Sequence, residues 1–102
     1  MPLKHINALE AKKLVDDGAL LVDVREAYEH ADENIPGARN EPLSRIAGAD
    51  ISGAPAVVFH CKSGARTRMN AQALESCTDA DVYILDGGIE AWKAAGYPVK
   101  RG

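Results

Sequence analysis

The chain has 102 residues, 46% hydrophobic and 26% charged, enough for one compact core and unlike a disordered or fibrous composition. Its net charge of −3 and pI of about 5.5 argue against the broad basic face that nonspecific nucleic-acid binding needs. Two cysteines cannot make a disulfide framework, and neither a signal-peptide pattern nor a membrane-length apolar run is present. The expectation is one domain over residues 1–102 in a reducing, cytoplasmic compartment. No nucleic-acid partner, and no membrane partner within this chain, is expected.

Taken in order, β and α segments alternate. Leu3 to Ile6 reads as a short strand. Asn7 with Glu10 three residues on has the spacing of a capping box, which predicts a helix to about Asp17, stopped by Gly18. Leu20 to Val24 is an apolar run suited to a buried strand. Arg25 to Asp32 is polar and helix-compatible. Ile35-Pro36-Gly37-Ala38 breaks that helix before a brief strand near Arg39, and Pro42 starts a short helix through Ile46.

Ala56 to His60 is the clearest strand, apolar without alternation, as in parallel sheets covered on both faces. Cys61 follows directly. Lys62-Ser63-Gly64 turns the chain, and one helix is expected from about Ala65 to Ser76, with Met69, Ala73, Leu74 and Cys77 as its buried stripe. Asp81 to Leu85 is a strand and Asp86-Gly87-Gly88 a turn. The final helix carries Ile89, Trp92 and Ala95 on one face and ends at Gly96 and Pro98. About five strands alternating with helices predict an α/β domain with a mainly parallel sheet and helices on both sides. Ligands of such sheets bind beyond the carboxyl ends of the strands, where Cys61 falls.

A cysteine after an apolar strand is ordinarily a small core residue. The segment Cys61-Lys62-Ser63-Gly64-Ala65-Arg66 argues for more. A chain that leaves a strand and curves into a helix has amides without intrahelical partners, and curled around one point they make an anion-binding nest. The helix start adds its positive end, and Lys62, Arg66 and Arg68 add cations. A thiol at the centre ionises readily and can attack without a separate base. If it accepts a sulfur atom, the same amides can hold the new outer sulfur's charge.

At this point the sequence resembles the rhodanese superfamily over nearly its whole length. Leu21-Val22-Asp23-Val24-Arg25-Glu26 is similar to the family's first signature, and His30 with Asn34-Ile35-Pro36-Gly37-Ala38 to its "GHIPGA" element, whose usual glycine is replaced here by Glu33-Asn34. Asn40-Glu41-Pro42-Leu43 resembles a segment ending in Pro-Leu. Cys61 to Arg66 resembles the active-site loop. Asp86-Gly87-Gly88 with Trp92, then Gly96-Tyr97-Pro98-Val99, resembles the C-terminal signature. The resemblance implies a three-layer α/β/α fold around a five-stranded parallel sheet in order 1-5-4-2-3. It implies a thiosulfate sulfurtransferase that moves sulfane sulfur from thiosulfate or a similar donor to cyanide or a thiol. Cys61 is then the nucleophile and persulfide carrier, with Lys62, Ser63, Gly64, Ala65 and Arg66 as the substrate-binding cradle.

Cys61 and Arg66 have four residues between them, the loop length of the family's sulfurtransferases. Related phosphatases and arsenate reductases carry one residue more. Either activity is an alternative on the same fold, as is a non-enzymatic persulfide carrier or sensor that hands sulfur to an accepting protein.

Asp23 and Arg25 are expected to position the loop or to form a buried structural pair. Lys62 and Arg66 are expected to attract the anionic donor. Cys77 reads as structural, Trp92 as core, and His5 and His30 as surface residues. A metal site of His60 and Cys61 is disfavoured because adjacent strand residues point to opposite faces. No metal and no cofactor are expected.

Overall fold

The computed structural model describes residues 3–102. Five parallel strands form the main sheet: β1 (Lys4–Ile6), β2 (Leu20–Asp23), β4 (Arg39–Asn40), β5 (Ala56–His60) and β6 (Asp81–Leu85). Their spatial order is β1-β6-β5-β2-β4, which is 1-5-4-2-3 when these strands alone are counted in sequence. The expected fold class therefore holds. A second ribbon, unexpected from the sequence, pairs β3 (Glu33–Asn34) antiparallel with β7 (Lys100–Arg101). Each of its strands has two residues, too short to show a period.

Helix α1 (Ala8–Asp16) starts at the expected capping box: Glu10 N donates to Asn7 Oδ1 at 2.8 Å and Asn7 N to Glu10 Oε1 at 3.0 Å. Helix α2 (Ala27–Asp32) has its own box, in which Glu26 N donates to Glu29 Oε2 at 2.9 Å. After β4, a 3₁₀ helix spans Leu43–Gly48.

The strands alternate their side chains between two cores. Val22, Val57, Phe59, Cys61, Val82 and Ile84 face one side, against Ile46, Ile51 and Leu74. Leu21, Val58 and Leu85 face the other, against Ala8, Ala11, Ile89 and Trp92. Burial of both faces explains why β5 reads as an unbroken apolar run.

The single helix expected over 65–76 is two short ones, α3 (Ala65–Met69) and α4 (Ala71–Ser76), broken at Asn70. The expected stripe is corrected with it. Met69 is 84% exposed and Ala73 is exposed, while Thr67 and Leu74 are fully buried and Ala71 half-buried. Thr67, Ala71 and Leu74 follow the helical spacing i, i+4, i+7. The Thr67 hydroxyl is bonded inside the site and so tolerates burial. Helix α5 (Gly88–Ala94) buries Ile89 and Trp92, but Ala95 lies past its end and is exposed. Trp92 Nε1 donates to Pro98 O at 2.8 Å, tying the last turn to the chain beyond it. Among the described residues, no helix is long and apolar enough to cross a membrane.

Candidate active site

Strand β5 delivers Cys61 to the carboxyl end of the sheet, where the backbone curls back over it. Gly64 N donates to Cys61 Sγ at 3.1 Å, and Thr67 Oγ1 lies 3.8 Å from the same sulfur. Burial pushes the thiol pKa up. The Thr67 amide and hydroxyl, then the Gly64 and Arg66 amides, more than offset this, so the thiol is held below its ordinary pKa. Cys61 is 1% exposed, yet the Gly64 amide points at it. With α3 only five residues long, the positive field comes from these local N–H groups rather than from a long helix dipole.

Thr67 has one hydroxyl proton and two acceptors within reach. It donates to Gly64 O at 3.0 Å. With the thiol protonated, the S–H can donate to Thr67 Oγ1; with the thiolate formed, the hydroxyl proton can turn to sulfur. The group can therefore accommodate both charge states.

Glycines shape the loop at two points. Gly64 has φ +97°, and a Cβ there would come within 2.9 Å of Gly87 N. Gly88 has φ +58°, and a Cβ there would press into the carbonyl oxygens of Cys61 and Lys62. That close approach lets the first turn of α5 bind those carbonyls: Ile89 N donates to Cys61 O at 2.9 Å and Glu90 N to Lys62 O at 3.1 Å. These two bonds tie the start of the loop to α5.

On the opposite face of the sheet, behind the loop, lies a buried polar cluster. Asp23 Oδ1 accepts from Arg25 N at 2.9 Å, and Asp23 Oδ2 accepts from the Arg25 guanidinium at 2.8 Å. Arg25 also donates to Glu33 O at 2.6 Å. His30 Nδ1 is 2.9 Å from Asp23 Oδ2, so His30 is a half-buried member of this cluster and not the free surface residue expected. Burial raises the Asp23 pKa, but hydrogen bonds from Arg25 and the bond to His30 leave it lowered overall.

Asp23 and His60 are register partners on adjacent strands. His60 Nδ1 is 3.1 Å from Cys61 O, while Nε2 is 4.0 Å from Asp23 Oδ2 and has no hydrogen-bond partner. Burial lowers the His60 pKa, favouring the neutral ring. Asp23 thus lies beside His60, whose Nδ1 is near the Cys61 carbonyl, and Arg25 lines the same cleft as Lys62. Among the described residues, no group of His, Cys, Asp and Glu has the arrangement of a metal site.

The loop's cations divide. Lys62 and Ser63 are exposed above the sulfur, and Lys62 has no ion-pair partner among the described residues. Arg66, expected to attract the anionic donor, is paired within the fold. Its Nη1 and Nη2 each donate at 2.8 Å to the two oxygens of Glu29. That guanidinium holds Glu29 down to about 2, against a smaller upward effect of burial. Sequence reasoning passed over Glu29, Thr67 and the Gly88 contact, and weighed His60 only as a metal ligand. The capping box spacing of Glu26 and Glu29 was visible, but the contacts to Arg66 and Cys61 are made across the fold.

A cleft of about 610 Å³ adjoins the loop, between α2 and α5. Cys77 is elsewhere, half-buried after α4.

Fold and site together define an α/β domain with a thiol seated in a ring of main-chain amides at the carboxyl edge of its sheet. The profile of the rhodanese-like domain matches residues 7–95, and the chain belongs to that family. It is 35% identical over 100 residues to the thiosulfate sulfurtransferase GlpE of Pseudomonas fluorescens, covering 95% of this chain and 90% of GlpE. It is 38% identical over 87 residues to the uncharacterized protein slr1261 of Synechocystis sp., covering 83% of this chain and 49% of that protein. The chain thus spans about half the length of slr1261. A crystal structure of a thiosulfate sulfurtransferase from Pseudomonas aeruginosa superposes with a TM-score of 0.85 at 25% identity, over 97% of this chain and 19% of that one.

Proposed function

We propose that this chain is a rhodanese-type sulfurtransferase with Cys61 as its nucleophile. It takes sulfane sulfur from thiosulfate or a similar donor, holds it as a persulfide, and passes it to cyanide or a thiol. One observation supports this reading: the Gly64 amide donates to Cys61 Sγ at 3.1 Å in a loop that also brings the Thr67 hydroxyl to 3.8 Å, an arrangement that favours the thiolate against burial.

Each residue then has a role. The Cys61 thiolate attacks the outer sulfur of the donor, the S–S bond of the donor breaks, and its electron pair leaves with sulfite. The backbone from Lys62 to Arg66, with the Thr67 hydroxyl, cradles the charge first on Cys61 and then on the added sulfur. With Cys61 at 1% exposure, the exposed Lys62-Ser63 segment is the part of the loop that must yield to admit a donor. Asp23 and Arg25 position the end of β2, and Asp23 acts on the loop through His60. The six-residue loop favours sulfur transfer over phosphoryl or arsenate chemistry, which uses a wider ring in related proteins.

The test is intact-protein mass after incubation with thiosulfate. The expected result is a gain of one sulfur atom, lost again on adding cyanide as thiocyanate forms. Cys61→Ser should remove the gain and cut turnover by about a thousandfold or more, as loss of a nucleophile does. A Cys61→Ser protein that still loads sulfur would overturn the assignment. Turnover of an aryl phosphate in excess of sulfur transfer would move the chain to the phosphatase class.

A further inference from the structure

Cys61 and the amides account for the nucleophile, but not for a carboxylate seated on the loop's own arginine. We infer that Glu29 is a specificity-determining residue that biases the site against doubly negative donors and toward hydropersulfides, R–S–SH. The inference rests on the sulfurtransferase reading and names the donor class of that same site.

The Glu29–Arg66 pair is built rather than incidental. Both carboxylate oxygens meet the two terminal nitrogens of the guanidinium at 2.8 Å, the fork geometry that suits arginine best. Glu29 is fixed beforehand, because Oε2 also accepts Glu26 N at 2.9 Å in the cap of α2. Its side chain is 17% exposed. Arg66 sits in the loop between Gly64, whose N–H donates to Cys61 Sγ, and Thr67, whose hydroxyl lies 3.8 Å from the same sulfur, so the pair is anchored in the loop around Cys61. The hydrogen bonds that Arg66 donates to Glu29 raise the guanidinium pKa.

Offsetting Arg66 changes the charge that a donor meets. In the adjoining cleft, Arg25 is held by Asp23, and Glu33 is held by Lys93 and Arg101. That leaves Lys62 facing Asp32 and Glu90, which have no ion-pair partner among the described residues. The approach carries no surplus of positive charge. Thiosulfate brings two negative charges to a thiolate and releases a sulfite dianion. A hydropersulfide brings none or one.

The step balances without an oxidant. The Cys61 thiolate attacks the terminal sulfur of R–S–SH, a new S–S bond forms, and the old S–S bond breaks. Its electron pair leaves as RS⁻, which takes the proton from the transferred sulfur to give R–SH and the Cys61 persulfide anion.

The experiment compares second-order rates of Cys61 persulfide formation, read by intact mass, with thiosulfate and with 2-hydroxyethyl hydropersulfide. Glu29→Gln keeps an oxygen for the α2 cap and removes the charge opposite Arg66. It should raise the thiosulfate rate about 3- to 10-fold at low salt and leave the hydropersulfide rate within about twofold. The gain should fade at about 0.5 M KCl, where exposed charges are screened. Arg66→Gln should move the ratio the other way, and it tests the idea even if Glu29→Gln does not fold. A ratio unchanged in a folded variant of either kind overturns the role of Glu29 and leaves the sulfurtransferase reading intact. Failure of both donors to load wild-type Cys61 overturns both.

Discussion

The two cysteines lie at opposite edges of one sheet, and their surroundings differ in kind. Cys61 follows the carboxyl end of β5; Cys77 precedes the amino end of β6. Each edge has a cleft, about 610 Å³ beside the Cys61 loop and about 490 Å³ between residues 49–55 and 76–80. Cleft size therefore does not mark the site. Burial does not mark it either, since Cys61 is the more buried of the two. What differs is the polarity of the backbone around sulfur. Cys61 accepts from an amide at 3.1 Å and its pKa is lowered. Cys77 donates to the carbonyl of Leu74 at 3.0 Å, and burial raises its pKa. Amides favour a thiolate; a carbonyl favours a thiol.

The strongest way to break this contrast is to turn the amides away. Gly88→Ala forces a Cβ against the carbonyls of Cys61 and Lys62 and strains φ at that position. Sulfur transfer should fall about a hundredfold, and thermal melting should show a loss of about 2 kcal/mol or more. Unchanged activity would mean that α5 does not hold the loop.

A smaller effect is expected from Thr67→Val, which preserves shape and removes the hydroxyl near Sγ and Gly64 O. The Cys61 pKa should rise, loading at neutral pH should drop about tenfold, and stability should fall by about 1 kcal/mol. A loading rate that stays at the wild-type value would assign Thr67 to packing alone.

Smallest of all should be the effect of Cys77→Ala. Thiocyanate formation should stay within about twofold, with a stability change of about 1 kcal/mol, measured by turnover and urea unfolding. A large loss of turnover would join the two ends of the sheet functionally.

Much of this contrast was legible in the sequence. The apolar run of β5, its abrupt end at Cys61 and the glycine three residues on place that thiol in its loop, because strand ends and turns are local events. The capping box at Asn7 was legible for the same reason. The break at Asn70 was not. It divides a segment whose residues all tolerate helix, and the burial of Thr67 depends on a sulfur six residues away. The Glu29–Arg66 pair spans 37 positions, so no spacing rule reveals it. His30 read as surface because its partner, Asp23, is buried on another element. Contacts closed within a few residues could be read; contacts closed by the sheet could not.

The most direct measurement is the pH titration of each thiol alone, by thiolate absorbance near 240 nm, in Cys77→Ala and Cys61→Ala proteins. The Cys61 thiol should ionise below the ordinary thiol range and the Cys77 thiol above it. A lowered pKa in the folded state also means stability that is fully present above the ordinary thiol pKa. That stability is lost as pH falls through the folded value of Cys61. If Cys61 instead titrates like a free thiol, or later than Cys77, the amide ring does not hold charge over this sulfur and the account is wrong.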